Sequence, residues 1–395
     1  MRNDLVNFIR EKSELLFSKV KSYREHLHQH PELSFQEFET MKFVSKVLTE
    51  LNIEHSTGVG TTGITAIISS STHQKDQACI GLRSDLDALP IIEENEVNYK
   101  SLVPGVMHAC GHDVHTAILL GVAELLNEIR EQLPQPVKLI FQPGEEKNPG
   151  GATLMIKDGV LENPKVEKMH ALHVSPEIET GKVGFREGLY MASSDEIYIT
   201  IHGKGGHGAT PHKTIDPIVI GATLILQLQQ IVSRKCDPNI PCVLSFGHFE
   251  AIGATNIIPE KAILKGTFRT MNEAWRKEAL GLIESSTKLV VESMQGKVDV
   301  EISAGYPFLA NDPTTTQQVR SNAEEILGKE NVIDLSMRMT SEDFAFYSQI
   351  VPVCFFRLGT RNEEKGIIHG VHHPRFNIDD NALIIGMQVM ASSVF

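Results

Sequence analysis

Five short stretches carry side chains of the kinds that bind metals and move protons. They are Asp85 and Asp87 in RSDLDALP, then Cys110, His112, Asp113 and His115 in CGHDVH. Glu145 and Glu146 follow in QPGEE, His170 and His173 in MHALHV, and His369, His372 and His373 near the C-terminus. Thiolate, imidazole and carboxylate together suit zinc, manganese, cobalt or nickel, whereas calcium and magnesium prefer oxygen alone. Neighbouring residues do not easily point the same way. One of the two adjacent glutamates can therefore hold a metal while the other faces a metal-bound water. A metal brings the pKa of that water to about 7, and a carboxylate can take its proton and pass it to a leaving amine. This is the chemistry of amide hydrolysis. Reading Cys110 as a nucleophile paired with His112 would leave two glutamates and several histidines without a task.

Any one of these motifs matches by accident in many proteins; their placement carries the argument. Apolar runs at Cys79–Arg83, Val137–Phe141, Met169–Val174 and Val353–Leu358 read as buried strands, with another at Gly63–Ser69. Helical patterns cover 5–30, ended by Pro31, and Val114–Ile129, whose apolar positions 114, 118, 122, 125 and 129 form one stripe. Strands alternating with helices of this length predict an α/β domain, three-layer α/β/α with a mostly parallel sheet. In such sheets ligands gather beyond the carboxyl ends of the strands. Four of the clusters sit at strand ends of this kind, and the His369–His373 group lies in the loop after the last strand. Ser69–Thr72 with Gln74 and Lys75 reads as a polar loop.

The middle of the chain has a different rhythm. A strand at Glu196–Gly203 is followed by a helix opened by Asp216-Pro217 and reaching about Arg234. Strands Val243–Glu250 and Lys261–Thr270, a helix Asn272–Met294 and a strand Val298–Ser303 complete the series. The order β-α-β-β-α-β is the split βαβ pattern of a ferredoxin-like sandwich. It predicts an inserted ferredoxin-like α+β domain over 190–305, between a first part of the α/β domain (1–189) and its second part (306–395). The helix from Pro217 has apolar residues on more than one side, which predicts self-association into a homodimer or larger homo-oligomer. Gly203–Gly208 fits GxGxxG after a strand. Pro211 follows at once, however, and no acid stands about 20 residues on, so dinucleotide binding is rejected. The segment reads instead as a loop presenting His207, and with it His212, to a cleft.

Composition excludes several classes. Of 395 residues, 37 are Lys or Arg against 50 Asp or Glu, a net charge of −13 without basic clusters, which argues against nucleic acid as a partner. No run of about 18 apolar residues exists, so no membrane span is expected. The opening Met1-Arg2-Asn3-Asp4-Leu5 lacks the apolar stretch of a secretory signal. Cysteines at 79, 110, 236, 242 and 354 are odd in number and show no CxxC spacing. Reduced thiols and a cytoplasmic location are expected.

The motifs RSDLDALP, HACGHDVHTAILLG, IFQPGEE, ALHVSP, GKGGHGATPH, NIIPEKAILKGTFRT, MTSEDFAF and VHHPRF occur in this order. Together they resemble the aminoacylase, hippurate hydrolase and auxin-conjugate hydrolase branch of the co-catalytic metal amidohydrolases and exopeptidases. The likeness runs from HLHQHPELSFQE almost to the C-terminus. It implies a two-metal catalytic domain with an inserted lid or dimerisation domain. It also implies metal ligands Cys110, His112, Glu146, His173 and His372, with Cys110 shared by both ions. His173 fits the pattern better than His170; His372 fits better than His373. Glu145 is then similar to the general base, and Asp87 to an aspartate that orients a ligand. Asp85 stands where relatives bind metal through a histidine. His207 resembles a residue that polarises the scissile carbonyl, often from the partner subunit, while Asn256 and Arg269 resemble residues that recognise a carboxylate. The implied activity is metal-dependent hydrolysis of N-acyl amino acids with two divalent ions, manganese or zinc first, cobalt or nickel after. Cleavage of short peptides by a dipeptidase or aminopeptidase at the same site is the alternative.

Overall fold

The computed structural model of the protein describes residues 2–74 and 77–395, so Lys75 of the polar loop lies outside the described residues. The chain divides into two compact units. One comprises the chain up to Gly188 with Ala310–Ser336 and Phe346–Phe395; the other comprises Leu189–Leu309 and Met337–Ala345.

The first unit is built on an eight-stranded mixed sheet. Its strands lie in the order His55–Val59, Gly63–Ile68, Val137–Gln142, Cys79–Asp85, Val166–Glu179, Val353–Arg361, Val183–Phe185 and Val332–Asp334. The four strands from Val137–Gln142 to Val353–Arg361 run parallel. Every residue of Cys79–Asp85 and Val137–Gln142 is buried, as expected for parallel strands covered on both faces. Val166–Glu179 runs past the expected end at Val174. Pro176 within it has no N–H to give to a ladder. Yet the strand continues beside Val353–Arg361, whose partner pairing shifts between Gly359 and Arg361.

Helix His112–Glu128 carries the stripe seen in the sequence but is apolar nearly all round, with 14 buried residues. A helix of that kind needs cover on every side. Helices Arg2–Gln29 and Ala382–Ser392 supply most of it, and the strand Cys79–Asp85 with its neighbours in the sheet and helix Phe38–Glu50 supply more. The first turn of this helix is thereby locked beside the ends of the parallel strands.

The second unit has the β-α-β-β-α-β order. Strands Cys242–Glu250, Lys261–Thr270, Asp195–His202 and Lys297–Ala304 lie side by side in that order, each antiparallel to its neighbours. Asp195–His202 alternates, with Ile197, Ile199 and Ile201 buried in a core that includes Leu224, Leu228, Ala279 and Ile283 of the two helices. Asp216 caps helix Pro217–Gln230 by accepting from Ile218 N (2.9 Å) and Val219 N (3.3 Å), and Asn272 caps Glu273–Ser293 by accepting from Trp275 N (2.9 Å). No helix among the described residues is long and apolar enough to cross a membrane.

A buried ion pair pins this sandwich. Asp195, fully buried, accepts from Arg276 Nε at 2.8 Å and Nη2 at 2.7 Å, and Nη2 also donates to Gly305 O at 3.0 Å. Replacing Arg276 by Met leaves the Asp195 charge buried and unpaired. This change should cost about 3–5 kcal/mol. Urea unfolding followed by fluorescence of Trp275, the only tryptophan, measures it; an unmoved midpoint would contradict this role for the pair.

Candidate metal centre

The register of the parallel strands brings the chemical clusters level. Arg83 pairs with Ala171 and Asp85 with Gln142, so Asp85, His173 and the turn after Gln142 share one end of the sheet. Between Cys110 and the helix stands Gly111 at φ +85°, where a Cβ would lie 2.6 Å from Val174 Cγ2; only glycine fits so tight an entry. His372 adopts φ +63° and donates its N–H to Ala109 O at 2.7 Å, which anchors the C-terminal loop to the cysteine segment.

Two groups of donor atoms form there and share one thiol. Ligand atoms of Cys110, His112 and His173 lie within 4.8 Å of one another, as do those of Cys110, Glu146 and His372. A third overlapping group joins His112, Glu145 and Glu146. The hydrogen bonds fix which nitrogens face inward. His173 donates from Nδ1 to Val174 O (2.8 Å), leaving Nε2 at 3.4 Å from Cys110 Sγ. His112 donates from Nδ1 to Asp87 Oδ1 (3.2 Å), leaving Nε2 buried without a hydrogen-bond partner. Glu146 Oε1 is likewise buried without one, although it lies 3.2 Å from His372 Nε2 and 4.0 Å from His112 Nε2. Buried polar atoms seldom stay unpaired. Two such atoms converging beside a thiol are a donor set that fits divalent cations.

Asp87 organises this end of the sheet. Besides His112 it accepts from Glu145 N (3.0 Å), Glu146 N (2.9 Å) and Ser34 Oγ (2.6 Å). Burial opposes its charge, but these hydrogen bonds outweigh burial and lower its pKa. For His112, burial alone would lower the imidazole; Asp85 and Asp87 overcome it and raise the pKa to about 10. The Cys110 thiol is pushed well up, by burial and then by Glu146 and Glu145. The polypeptide alone thus carries an excess of negative charge here, and cations that favour a thiolate offset it.

Other sequence candidates have different duties. Asp85 takes Arg83 Nη1 at 2.7 Å and His115 Nδ1 at 2.6 Å, and His115 Nε2 accepts Val174 N at 3.0 Å. Both His115 nitrogens are therefore committed, although its ligand atom lies near those of Asp85 and His112. His170 bonds Ser393 Oγ at 3.0 Å and joins none of the donor groups among the described residues; burial lowers its pKa to about 3. His373 accepts from Arg375 N and stacks on His369 at 4.3 Å.

His207, Asn256 and Arg269 belong to the second unit. Exposed His207 accepts from Ala209 N at Nδ1 (3.0 Å), which leaves Nε2 as the N–H of the neutral ring. Its strand pairs with Ile257–Ile258, and Gly208 N donates to Asn256 O at 2.8 Å, so His207 and Asn256 are neighbours. Arg269 donates from Nη1 to Met339 O (3.2 Å) and Ser341 Oγ (3.3 Å). The glycine-rich segment opens no long helix; a Cβ at Gly203 would lie 2.2 Å from Ile215 O, so close packing of chain accounts for that glycine. Sequence reasoning gave no role to Ser34 and Glu37, which bond Asp87 and the turn before Glu145. The only signal was their place in HLHQHPELSFQE.

The fold and these donor groups define a hydrolase of the two-metal type. Residues 81–395 match the model of peptidase family M20/M25/M40, and the chain belongs to that family. It is 38% identical over 386 residues to an N-acetyl-L-cysteine deacetylase of Bacillus subtilis, covering 97% of this chain and 90% of that one. It is 36% identical over 385 residues to thermostable carboxypeptidase 2 of Saccharolobus solfataricus, covering 97% and 96%. Among solved structures it is similar to the YXEP protein of Bacillus subtilis, described as a dinuclear metal binding peptidase of the M20 family. That match has TM-score 0.81 and 32% identity, covering 96% of this chain and 98% of the other.

Proposed function

We propose that this chain hydrolyses the amide bond of N-acyl amino acids, releasing the amino acid and a carboxylic acid. The observation that carries the reading is one buried thiol, Cys110, common to two donor groups with Glu145 and Glu146 beside them. Cys110, His112 and His173 would hold one divalent ion, and Cys110, Glu146 and His372 the other; manganese or zinc suits such donors, cobalt or nickel less commonly. The ions supply charge that polarises a carbonyl and acidifies a water. Glu145 takes the proton of the attacking water and delivers it to the leaving nitrogen. Asp87 keeps the Nδ1 proton on His112, so that Nε2 stays a donor of electrons to the ion.

From the second unit, His207 would polarise the scissile carbonyl by donating a hydrogen bond from its Nε2–H to the oxygen, and Asn256 and Arg269 would hold the substrate carboxylate. Replacing His207 by Ala should lower kcat by about 10²-fold, the scale for one donor to a developing oxyanion, with both metal equivalents retained. Steady-state kinetics beside elemental analysis decide this; unaltered kinetics would reduce the loop to a structural part. Ile218, Val219 and Leu226 stand 41%, 51% and 73% exposed on helix Pro217–Gln230, which supports pairing of two copies through this unit. A reducing, cytoplasmic setting is part of this proposal, resting on five cysteines that are odd in number and lack CxxC spacing.

The relative named a carboxypeptidase favours a second reading, cleavage of short peptides at the same site. Metal-reconstituted enzyme, with and without chelator, assayed on N-acetyl amino acids, benzoyl-glycine and dipeptides separates the two. The first reading expects the acylated amino acids to be turned over fastest, and faster turnover of dipeptides would replace it by the second.

A further inference from the structure

The turn that carries Glu145 is held from below by two buried carboxylates. Asp87 accepts the amides of Glu145 and Glu146. The amide just before them, Gly144 N, donates to Glu37 Oε1 at 2.8 Å. Glu37 is fully buried; its Oε1 also accepts Phe35 N at 2.9 Å and its Oε2 accepts the Thr62 hydroxyl. Three consecutive amides of the turn thus end on two carboxylates supplied by distant segments. Backbone shape agrees with a built contact. Phe35 stands at φ +66° and Gly144 at φ +57°, and a Cβ on Gly144 would come within 2.3 Å of the Phe35 ring. A phenylalanine in the left-handed region is uncommon and is kept where the surroundings impose it. Two carboxylates buried together are also costly: burial, then Asp87, raises the Glu37 pKa to about 7.

We infer that Glu37 is a positioning residue for the reaction: by fixing the Gly144 amide it sets the direction in which Glu145 and Glu146 leave the turn. This rests on the reading of Glu145 as the base. Without Glu37 the Pro143–Gly144 peptide loses its anchor, and a displacement of about 1 Å passed on to Glu145 costs on the order of 10²-fold in rate. Because Glu146 follows in the same turn, the ion it would hold is affected too.

The test compares Glu37→Ala, Glu37→Asp and Glu37→Gln in the full chain. Glu37→Ala should lose about 10–100-fold in kcat and about tenfold in affinity for one of two cobalt(II) equivalents, the scale for a residue supporting a metal ligand. Its Gly144–Glu146 amides should also exchange hydrogen faster. Glu37→Asp keeps the charge but falls one methylene short of Gly144 N, so it should share the kcat loss; it serves as the probe if the alanine variant folds poorly. Glu37→Gln should recover most activity, because its carbonyl oxygen accepts both amides and its NH2 donates to Thr62. A Gln variant as inactive as the Ala variant would mean that Glu37 exchanges protons itself, which overturns the inference. So would an Ala variant that merely unfolds more easily while keeping kcat, the cobalt titration and the exchange rates. Glu145→Gln is run alongside. Normal turnover there removes the base assignment and this inference with it. An inactive Glu145→Gln beside a fully active Glu37→Ala overturns the inference alone.

Discussion

Glu145→Gln is expected to lower kcat by about 10²-fold or more while the protein keeps both metal equivalents. Glutamine preserves the size of the side chain and removes the ability to take a proton, and general-base catalysis contributes about 10²–10⁴-fold. The substitution leaves the turn intact, because Asp87 holds Glu145 through its backbone N–H and not its side chain. The side chain is almost wholly buried, and its ligand oxygen lies within 4.8 Å of the ligand atoms of His112 and Glu146. That is near enough to reach a water between them, while the carboxylate of Glu146 remains for binding. The acid limb of the kcat/KM pH profile should disappear in the variant, since the group that must lose a proton is gone. Steady-state kinetics over pH with elemental analysis of the same samples test this. Near-normal turnover would return the base to another residue.

Cys110→Ala should have a larger effect, on metal and activity together. Its sulfur is the one atom common to both donor groups, so its loss weakens two sites rather than one. The fall in affinity should exceed the 10–100-fold typical of groups that only support a ligand. The variant protein should leave gel filtration with less than its full two equivalents and lack the thiolate-to-cobalt charge-transfer absorption of the cobalt form. Cys110→Asp, which puts an anionic oxygen ligand at the same place, should restore part of the binding. This pair also separates the two roles sequence reasoning weighed for the thiol. A nucleophilic cysteine replaced by alanine would abolish turnover with the metal content untouched.

The sheet and the donor clusters were legible for the same reason. Strands buried on both faces appear as short apolar runs, and the residues just after a run stand at the strand end. The clusters holding Cys110, Glu145, Glu146 and the histidines could therefore be brought to one edge of the sheet from residue types and spacing, while the choice of ligands among them was implied by the family resemblance. Helix Pro313–Leu327 went unnamed because PTTTQQVRSNAEEIL buries only a thin stripe, chiefly Val319, Ala323 and Ile326. Helix Ala382–Ser392 went unnamed for the opposite reason: ALIIGMQVMAS is apolar on all sides and shows no period. In the site, His115 read as one more candidate ligand, and only its partners, Asp85 and Val174 N, give it another task. Glu37 was hidden more deeply, since its principal partner is a backbone amide and any residue type at 144 would offer one. Contacts to backbone leave no trace in residue identity.

Diffraction from crystals of the manganese form, recorded at the manganese absorption edge, would test the reading most directly. Two anomalous peaks should flank the Cys110 sulfur, one bonded by His112 and His173 and the other by Glu146 and His372, with the Glu145 carboxylate facing the gap between them. A single peak, or two peaks with the sulfur outside both coordination shells, would contradict the shared-thiolate centre.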